Sequence, residues 1–166
     1  MIFVTTGSAV KGIEFTRLVK KMDEVAENIN EEVVMQIGAI PYEPRHTKYF
    51  RYASFQENLA YFQKASLIVG HCGIGTILNA LSFQKPIIVV PRRIKYGELN
   101  RDDHQMEIAK VLEERVYKNI YIVYEEDQLE EKIKEVLRRK EIVHFENRER
   151  EDLIIKIKKF IETFQG

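Results

Sequence analysis

A chain of 166 residues suits one domain that buries roughly two-thirds of its surface, and 26 Lys plus Arg balance 26 Asp plus Glu to a formal charge of zero. That neutrality excludes a general nucleic-acid binder, which needs a cationic excess to displace counterions from phosphates. With 45% hydrophobic and 31% charged residues the composition is that of a folded domain, and no apolar run approaches the ~20 residues of a membrane span. The lone cysteine, Cys72, excludes an internal disulfide framework and fits a reducing compartment. Met1 runs straight into Ile2, Phe3 and Val4 without a charged leader, so the expectation is a single cytoplasmic domain over residues 1–166.

Short β-branched runs alternate with stretches of helical period, the pattern of βα units around a parallel sheet. Residues 2–5 predict the first strand. Residues 14–28 predict a helix, with Phe15, Leu18, Val19, Met22, Val25 and Ala26 on one face. Strands follow at 32–37 and 49–53, separated by a turn-rich piece holding Pro41 and Pro44. A short helix at 56–64 leads to a strand at 67–70, buried on both faces, then to a helix at 74–83. Pro86 restarts the chain into a strand at 87–90. The loop 91–101 is rich in Arg, Lys and Gly, and the helix at 102–114 has Asp102 or Asp103 to cap its first turn. A strand at 120–124 and a helix at 126–139 come next. A closing helix at 148–164 carries Leu153, Ile157, Phe160, Ile161 and Phe164 on one face and Lys156, Lys158 and Lys159 around the rest. Packing of that apolar face on the sheet is the plainer reading, and contact of the basic side with a partner or anionic surface the sharper one.

Six strands with intervening helices predict an α/β, Rossmann-like doubly wound sheet, most simply in the order 3-2-1-4-5-6. The chain then reverses direction between strands 1 and 4, and ligands bind beyond the carboxyl ends of those strands. The loops there should be built for close approach. They read Thr5-Thr6-Gly7-Ser8 and Gly70-His71-Cys72-Gly73-Ile74-Gly75-Thr76, both rich in glycine and hydroxyls. Glycines admit a ligand to the backbone, and a helix start offers outward amides with partial positive charge. Gly73, Gly75 and Thr76 therefore suggest a diphosphate cradle, although glycines that merely allow tight packing would look the same. The third glycine of a dinucleotide fingerprint and the Gly-Lys-Thr of a P-loop are both missing.

Asn79 lies one turn beyond Thr76, where it can reach ribose hydroxyls or simply face solvent. His104 and Gln105, opening a helix after strand 5, can donate to a sugar or phosphate or serve only as a capping segment. No spacing completes a metal site with Asp102, Asp103 and His104. His71 and Cys72, as neighbours in extended chain, point to opposite sides, so a thiol–imidazole pair is the weaker reading beside a buried, inert cysteine. Arg92, Arg93 and Lys95 form either a solvated turn or a phosphate-neutralising one.

As an ordered set, Ala65 to Leu81, Lys85 to Pro91 and Asp103-His104-Gln105 resemble the C-terminal, donor-binding half of family 28 glycosyltransferases of the GT-B fold. The likeness runs from Met1 to about Tyr124. It is greatest to versions in which this half is a separate subunit, eukaryotic ones acting on dolichol-linked sugar and bacterial ones of exopolysaccharide or capsule synthesis. The resemblance implies that Gly7 and Ser8 face the donor phosphates, that the backbone near Phe55 recognises uracil, and that Gly73, Gly75 and Thr76 hold the diphosphate. It implies that His104 and Gln105 reach the donor sugar, His104 being the one candidate here for a catalytic role. Asn79 stands where the family usually has a ribose-gripping glutamate, and an amide offers one acceptor where a carboxylate offers a bidentate pair.

The resemblance further implies a UDP-sugar donor, no metal or other cofactor, and hexosyl or N-acetylhexosaminyl transfer to a lipid-linked acceptor. The acceptor site and general base of two-domain relatives lie in an N-terminal half that this chain lacks. A membrane-anchored partner supplying that half is therefore expected, with the chain held peripherally at the inner face of the membrane and no role for nucleic acid. Without its partner the exposed surface predicts homodimers. The competing readings are a nucleotide-sugar sensor or scaffold without turnover, for which Asn79 is the motive, and an independent epimerase or hydrolase.

Overall fold

Alternation along the strands decides how the sheet is covered. In β1 (Ile2–Thr5) the side chains of Ile2 and Val4 belong to one core and that of Phe3 to the other, and the same split runs through its neighbours. Those are β2 (Val33–Gln36), β3 (Lys48–Phe50), β4 (Leu67–His71), β5 (Ile87–Val90) and β6 (Ile120–Ile122). The computed structural model describes residues 1–7, 11–114, 117, 119–139, 151–152 and 155. Its strands form one parallel six-stranded sheet in the order β3-β2-β1-β4-β5-β6, as the sequence predicts. Parallel strands buried on both faces read as unbroken apolar runs, which is why β4 and β5 show no polar alternation.

On one face α1 (Thr16–Glu27) and α5 (Leu129–Arg138) bury Leu18, Val19, Met22, Ile133 and Val136 against Ile2, Val4, Leu67 and Ile88. On the other lie α2 (Phe55–Lys64), α3 (Ile74–Ser82) and α4 (His104–Glu113), packed on Phe3, Ile68, Ile87 and Val89. A stack of Phe3, Phe50 and Tyr61 closes the β3 end of that second core, with Phe50 and Tyr61 ring centroids 4.7 Å apart. A fully buried side chain such as Phe3 contributes roughly 1.5–3 kcal/mol relative to an exposed one.

Several boundaries differ from expectation, each for a local reason. Helix α1 starts at Thr16 because Phe15 has ψ 52 and plunges its ring into the core beneath Arg17 and Arg92. Helix α2 starts one residue earlier than predicted because Ser54 and Glu57 close a reciprocal capping box. The third strand ends at Phe50, although Arg51 still accepts from the Gly38 N–H. The helix expected from residue 126 opens as a 3-10 turn, Glu126–Gln128, before α5. Helix α4 begins at His104, whose N–H bonds the Asp102 carboxylate at 3.2 Å, while Asp103 accepts from the Ile94 N–H. The closing helix expected at 148–164 falls outside the described residues except for 151–152 and 155. Among the described residues no helix is long and apolar enough to cross a membrane.

The sheet pairs Thr5 of β1 with Gly70 of β4 at the point where the winding reverses. A Cβ on Gly70 would stand 3.1 Å from both the Thr5 carbonyl oxygen and the Thr76 methyl. Glycine there lets the end of β1 and the start of α3 close on each other, which brings the two predicted loops together.

Candidate functional site

The turn from β4 into α3 is short. Gly73 is the N-cap, offers no side chain to the helix, and gives its own N–H to the His71 carbonyl at 2.8 Å. The first intrahelical acceptor is the Gly73 carbonyl, taken by Ile77. The amides of Ile74, Gly75 and Thr76 are therefore left without acceptors among the described residues, at the positive end of the α3 dipole. Gly75 is exposed and a Cβ there would meet nothing within 4 Å. Packing does not explain this glycine.

Packing does explain the other two. A Cβ on Gly7 or on Gly73 would run into the His71 ring, so the two bends converge on one imidazole. Gly7 also has φ 67, a left-handed conformation that costs glycine nothing. Its N–H bonds the Thr5 hydroxyl at 3.2 Å. Gln36 at the end of β2 ties this bend down: its side-chain oxygen accepts from Thr5 Oγ1 at 2.8 Å and Asn58 Nδ2 at 3.0 Å, and its carbonyl from Thr6. Ser8 lies outside the described residues.

His71 holds the centre. Burial depresses its pKa to about 3, helped by the nearby Arg92 cation and by His104, while the Thr5 carbonyl opposes the shift. The imidazole is neutral at physiological pH, with Nδ1 3.4 Å from Thr76 Oγ1. Cys72 points the other way into the second core, where burial pushes its thiol up to about 12 and leaves it unreactive.

In the loop after β5, residues 94–97 are exposed while Arg92, Arg93 and Glu98 are buried in an ionic lattice. Arg92 is 5% and Arg93 8% exposed. Glu98 accepts from Arg17 Nε at 2.8 Å and from the Arg93 N–H at 2.9 Å, and burial raises its pKa against those partners. Arg17 also reaches Glu126 and the Pro91 carbonyl, each at 2.8 Å, and packs over the Tyr96 ring. This lattice was illegible in sequence because its members lie 81 and 109 positions apart from Arg17.

Of the α4 pair, His104 is half-buried and its Nδ1 lies 2.6 Å from Asp102 Oδ1, whose carboxyl the contact holds below its usual range. Its interaction with His71 places it on the cradle side of the molecule. Gln105 is buried, its amide oxygen taken by the Arg92 N–H at 3.1 Å. Asn79 is half-buried one turn into α3, and its side chain makes no hydrogen bond among the described residues. Phe55 is 72% exposed at the start of α2, the helix whose Asn58 bonds Gln36 at the Thr5 end of the first bend. The described residues hold no cluster of three His, Cys, Asp or Glu that would take a metal ion.

Comparison with known proteins agrees with this architecture. The chain resembles the solution structure of ALG13 (20% identity, TM-score 0.53), covering 84% of this chain and 86% of that one. It also resembles MurG of Acinetobacter baumannii (16%, TM-score 0.59), over 83% of this chain and 41% of that one. A third likeness is to the UDP-GlcNAc 2-epimerase of Methanocaldococcus jannaschii, solved with UDP-GlcNAc and UDP (14%, TM-score 0.58), over 96% of this chain and 45% of that one. The chain thus spans under half the length of those last two proteins, and at these identities the likeness speaks for the fold. A search of curated proteins finds no match. The profile of the glycosyltransferase family 28 C-terminal domain matches residues 1–163, and the chain belongs to that family.

Proposed function

We propose that this domain binds the UDP-sugar donor of a glycosyltransferase and works with a membrane-anchored partner that presents a lipid-linked acceptor. One observation carries the reading: the first turn of α3 offers three unpartnered amides under an open Gly75, directly across His71 from the Gly7 bend. A helix start of this kind is suited to a diphosphate. It stabilises the charge that builds on a leaving nucleoside diphosphate without reorganising at the moment of transfer.

In this reading Gly7, Ser8, Gly73, Gly75 and Thr76 enclose the diphosphate, and the backbone at Phe55 and the side chain of Asn79 receive the uridine. His104, half-buried and oriented by Asp102, faces the sugar. Gln105 acts from behind, holding the β5 loop by its bond to Arg92 rather than reaching into the open. The reaction is an inverting single displacement. An acceptor hydroxyl needs a base to take its proton, and the partner supplies it along with the acceptor. Membrane attachment also comes through the partner, and the donor requires no metal in this scheme. The similarity to ALG13 and the family membership support this division of labour.

Titration calorimetry with UDP, UDP-glucose, UDP-galactose and UDP-N-acetylglucosamine tests the proposal. Saturable heat with UDP is expected, with one sugar nucleotide binding more tightly than UDP itself. His104→Ala should weaken that sugar nucleotide about tenfold while leaving UDP within about twofold, the loss of one hydrogen bond. No heat with any of the four at millimolar ligand removes the proposal. Equal losses for UDP and the sugar nucleotide move His104 from the sugar to the phosphates.

A further inference from the structure

The proposed diphosphate carries two or more negative charges, and three unpartnered amides neutralise only about half a charge between them. A buried site that receives such a ligand needs a full countercharge. Three arginines stand near the crevice, and their partners separate them. Arg17 is paired with Glu98 and Glu126, and Arg93 with Glu125. Arg92 makes no ion pair among the described residues, although it is 5% exposed.

Its guanidinium donates from Nη2 to the Thr6 carbonyl, one residue before Gly7, and sits 5.6 Å from the centroid of the Phe15 ring. Its Nε is buried with no acceptor. Its backbone N–H is fixed by Gln105, at the start of α4. Arg92 therefore joins the Gly7 bend, the β5 loop and α4, and its charge is felt by His71, whose ring separates Gly7 from Gly73. Glu98 acts on Arg92 electrostatically, but its oxygens bond Arg17 and the Arg93 N–H instead. A buried, unpaired cation is costly in an empty domain. Such a charge is explained if an anion completes it.

We propose that Arg92 is the fixed countercharge of the diphosphate site, a positioning residue that holds the Gly7 bend through Thr6 while its cation, free of any ion pair, draws the phosphates into the cradle. This rests on the reading of the crevice as a UDP site. The specific consequence is discrimination by phosphate: Arg92 should matter to UDP and be nearly silent to uridine.

Calorimetry and ligand-observed NMR on the full chain test this with Arg92→Met and Arg92→Lys, using UDP and uridine as probes. Arg92→Met should weaken UDP at least tenfold and leave uridine within about twofold, as expected for a charge acting through a low-dielectric interior. Arg92→Lys, which keeps the charge but not the planar fork, should recover most of the UDP affinity. Unchanged UDP affinity in Arg92→Met overturns the inference, and so does an equal loss of UDP and uridine, which marks a merely structural arginine. If Arg92→Met does not fold, the wild-type Arg92 Nε–H resonance decides. It should move on addition of UDP and stay with uridine, and a resonance indifferent to UDP overturns the inference. Failure of the wild-type chain to bind UDP at all strikes the underlying reading instead, so the two failures are distinguishable.

Discussion

Valine at position 75 should leave the domain as stable as before and lower its affinity for UDP at least a hundredfold. The stability half follows from the empty space around Gly75, where an added Cβ meets nothing within 4 Å. Helix propensity favours the change slightly, since glycine is among the poorest helix residues, and the net effect should stay within about 1 kcal/mol. The affinity half follows from the same geometry with the ligand in place. Phosphate oxygens must come within about 3 Å of the Ile74, Gly75 and Thr76 amides to bond them. Two methyl groups on the exposed face of that turn hold them off, and losing two or three charge-assisted bonds amounts to about 3 kcal/mol or more. Thermal unfolding and UDP calorimetry on the same preparation check both halves. Undiminished UDP affinity in Gly75→Val would place the phosphates elsewhere.

The second large effect is on acid stability. The folded-state pKa of His71 is depressed to about 3, so the unfolded chain takes up a proton at this residue below its ordinary pKa of 6.5 while the native domain does not. The contribution of a neutral His71 is therefore complete above pH 6.5 and is lost as pH falls toward 3. Between pH 7.5 and pH 5 the loss from this one group is about 2 kcal/mol. That window lies above the range in which carboxylates such as Asp23 and Glu126, both held below their usual values, begin to titrate. Urea unfolding across pH 5–7.5 should show the slope in the wild-type chain, and His71→Asn should flatten it. A wild-type stability that does not change over that interval would mean that the imidazole between the glycines is open to water and free to charge.

The winding of the sheet was readable from composition and period alone, because both-faces-buried strands leave continuous apolar runs and α/β crossovers leave helical ones. The meeting of the two glycine bends was readable too. A doubly wound sheet of six strands demands ligand-approaching loops after the first and fourth strands, and the glycines stand there. Sequence did not reveal which glycines serve packing and which serve access. Gly7 and Gly73 clear a ring that belongs to His71, a residue weighed only as a partner for Cys72, whereas Gly75 clears nothing in the protein. That distinction depends on where one imidazole points, and a linear pattern does not encode it.

The β5 loop stayed ambiguous for a related reason. Arg92, Arg93 and Lys95 can be a solvated basic turn by pattern, yet the two arginines are buried, Arg92 donating to the Thr6 carbonyl and Arg93 to Glu125 and the Tyr124 carbonyl from distant parts of the chain. Gln105 likewise matches a sugar-reaching position by pattern, while its amide oxygen is occupied by the Arg92 N–H.

The central claim is that the Gly7 bend and the opening turn of α3 jointly hold a nucleoside diphosphate. An amide chemical-shift map of the 15N-labelled chain titrated with UDP tests it most directly. The largest saturable shifts should fall on Gly7, Ile74, Gly75 and Thr76. Shifts confined to the separate groove of about 330 Å³ lined by Phe50, Tyr52 and Tyr61, or no shifts at millimolar UDP, would contradict it.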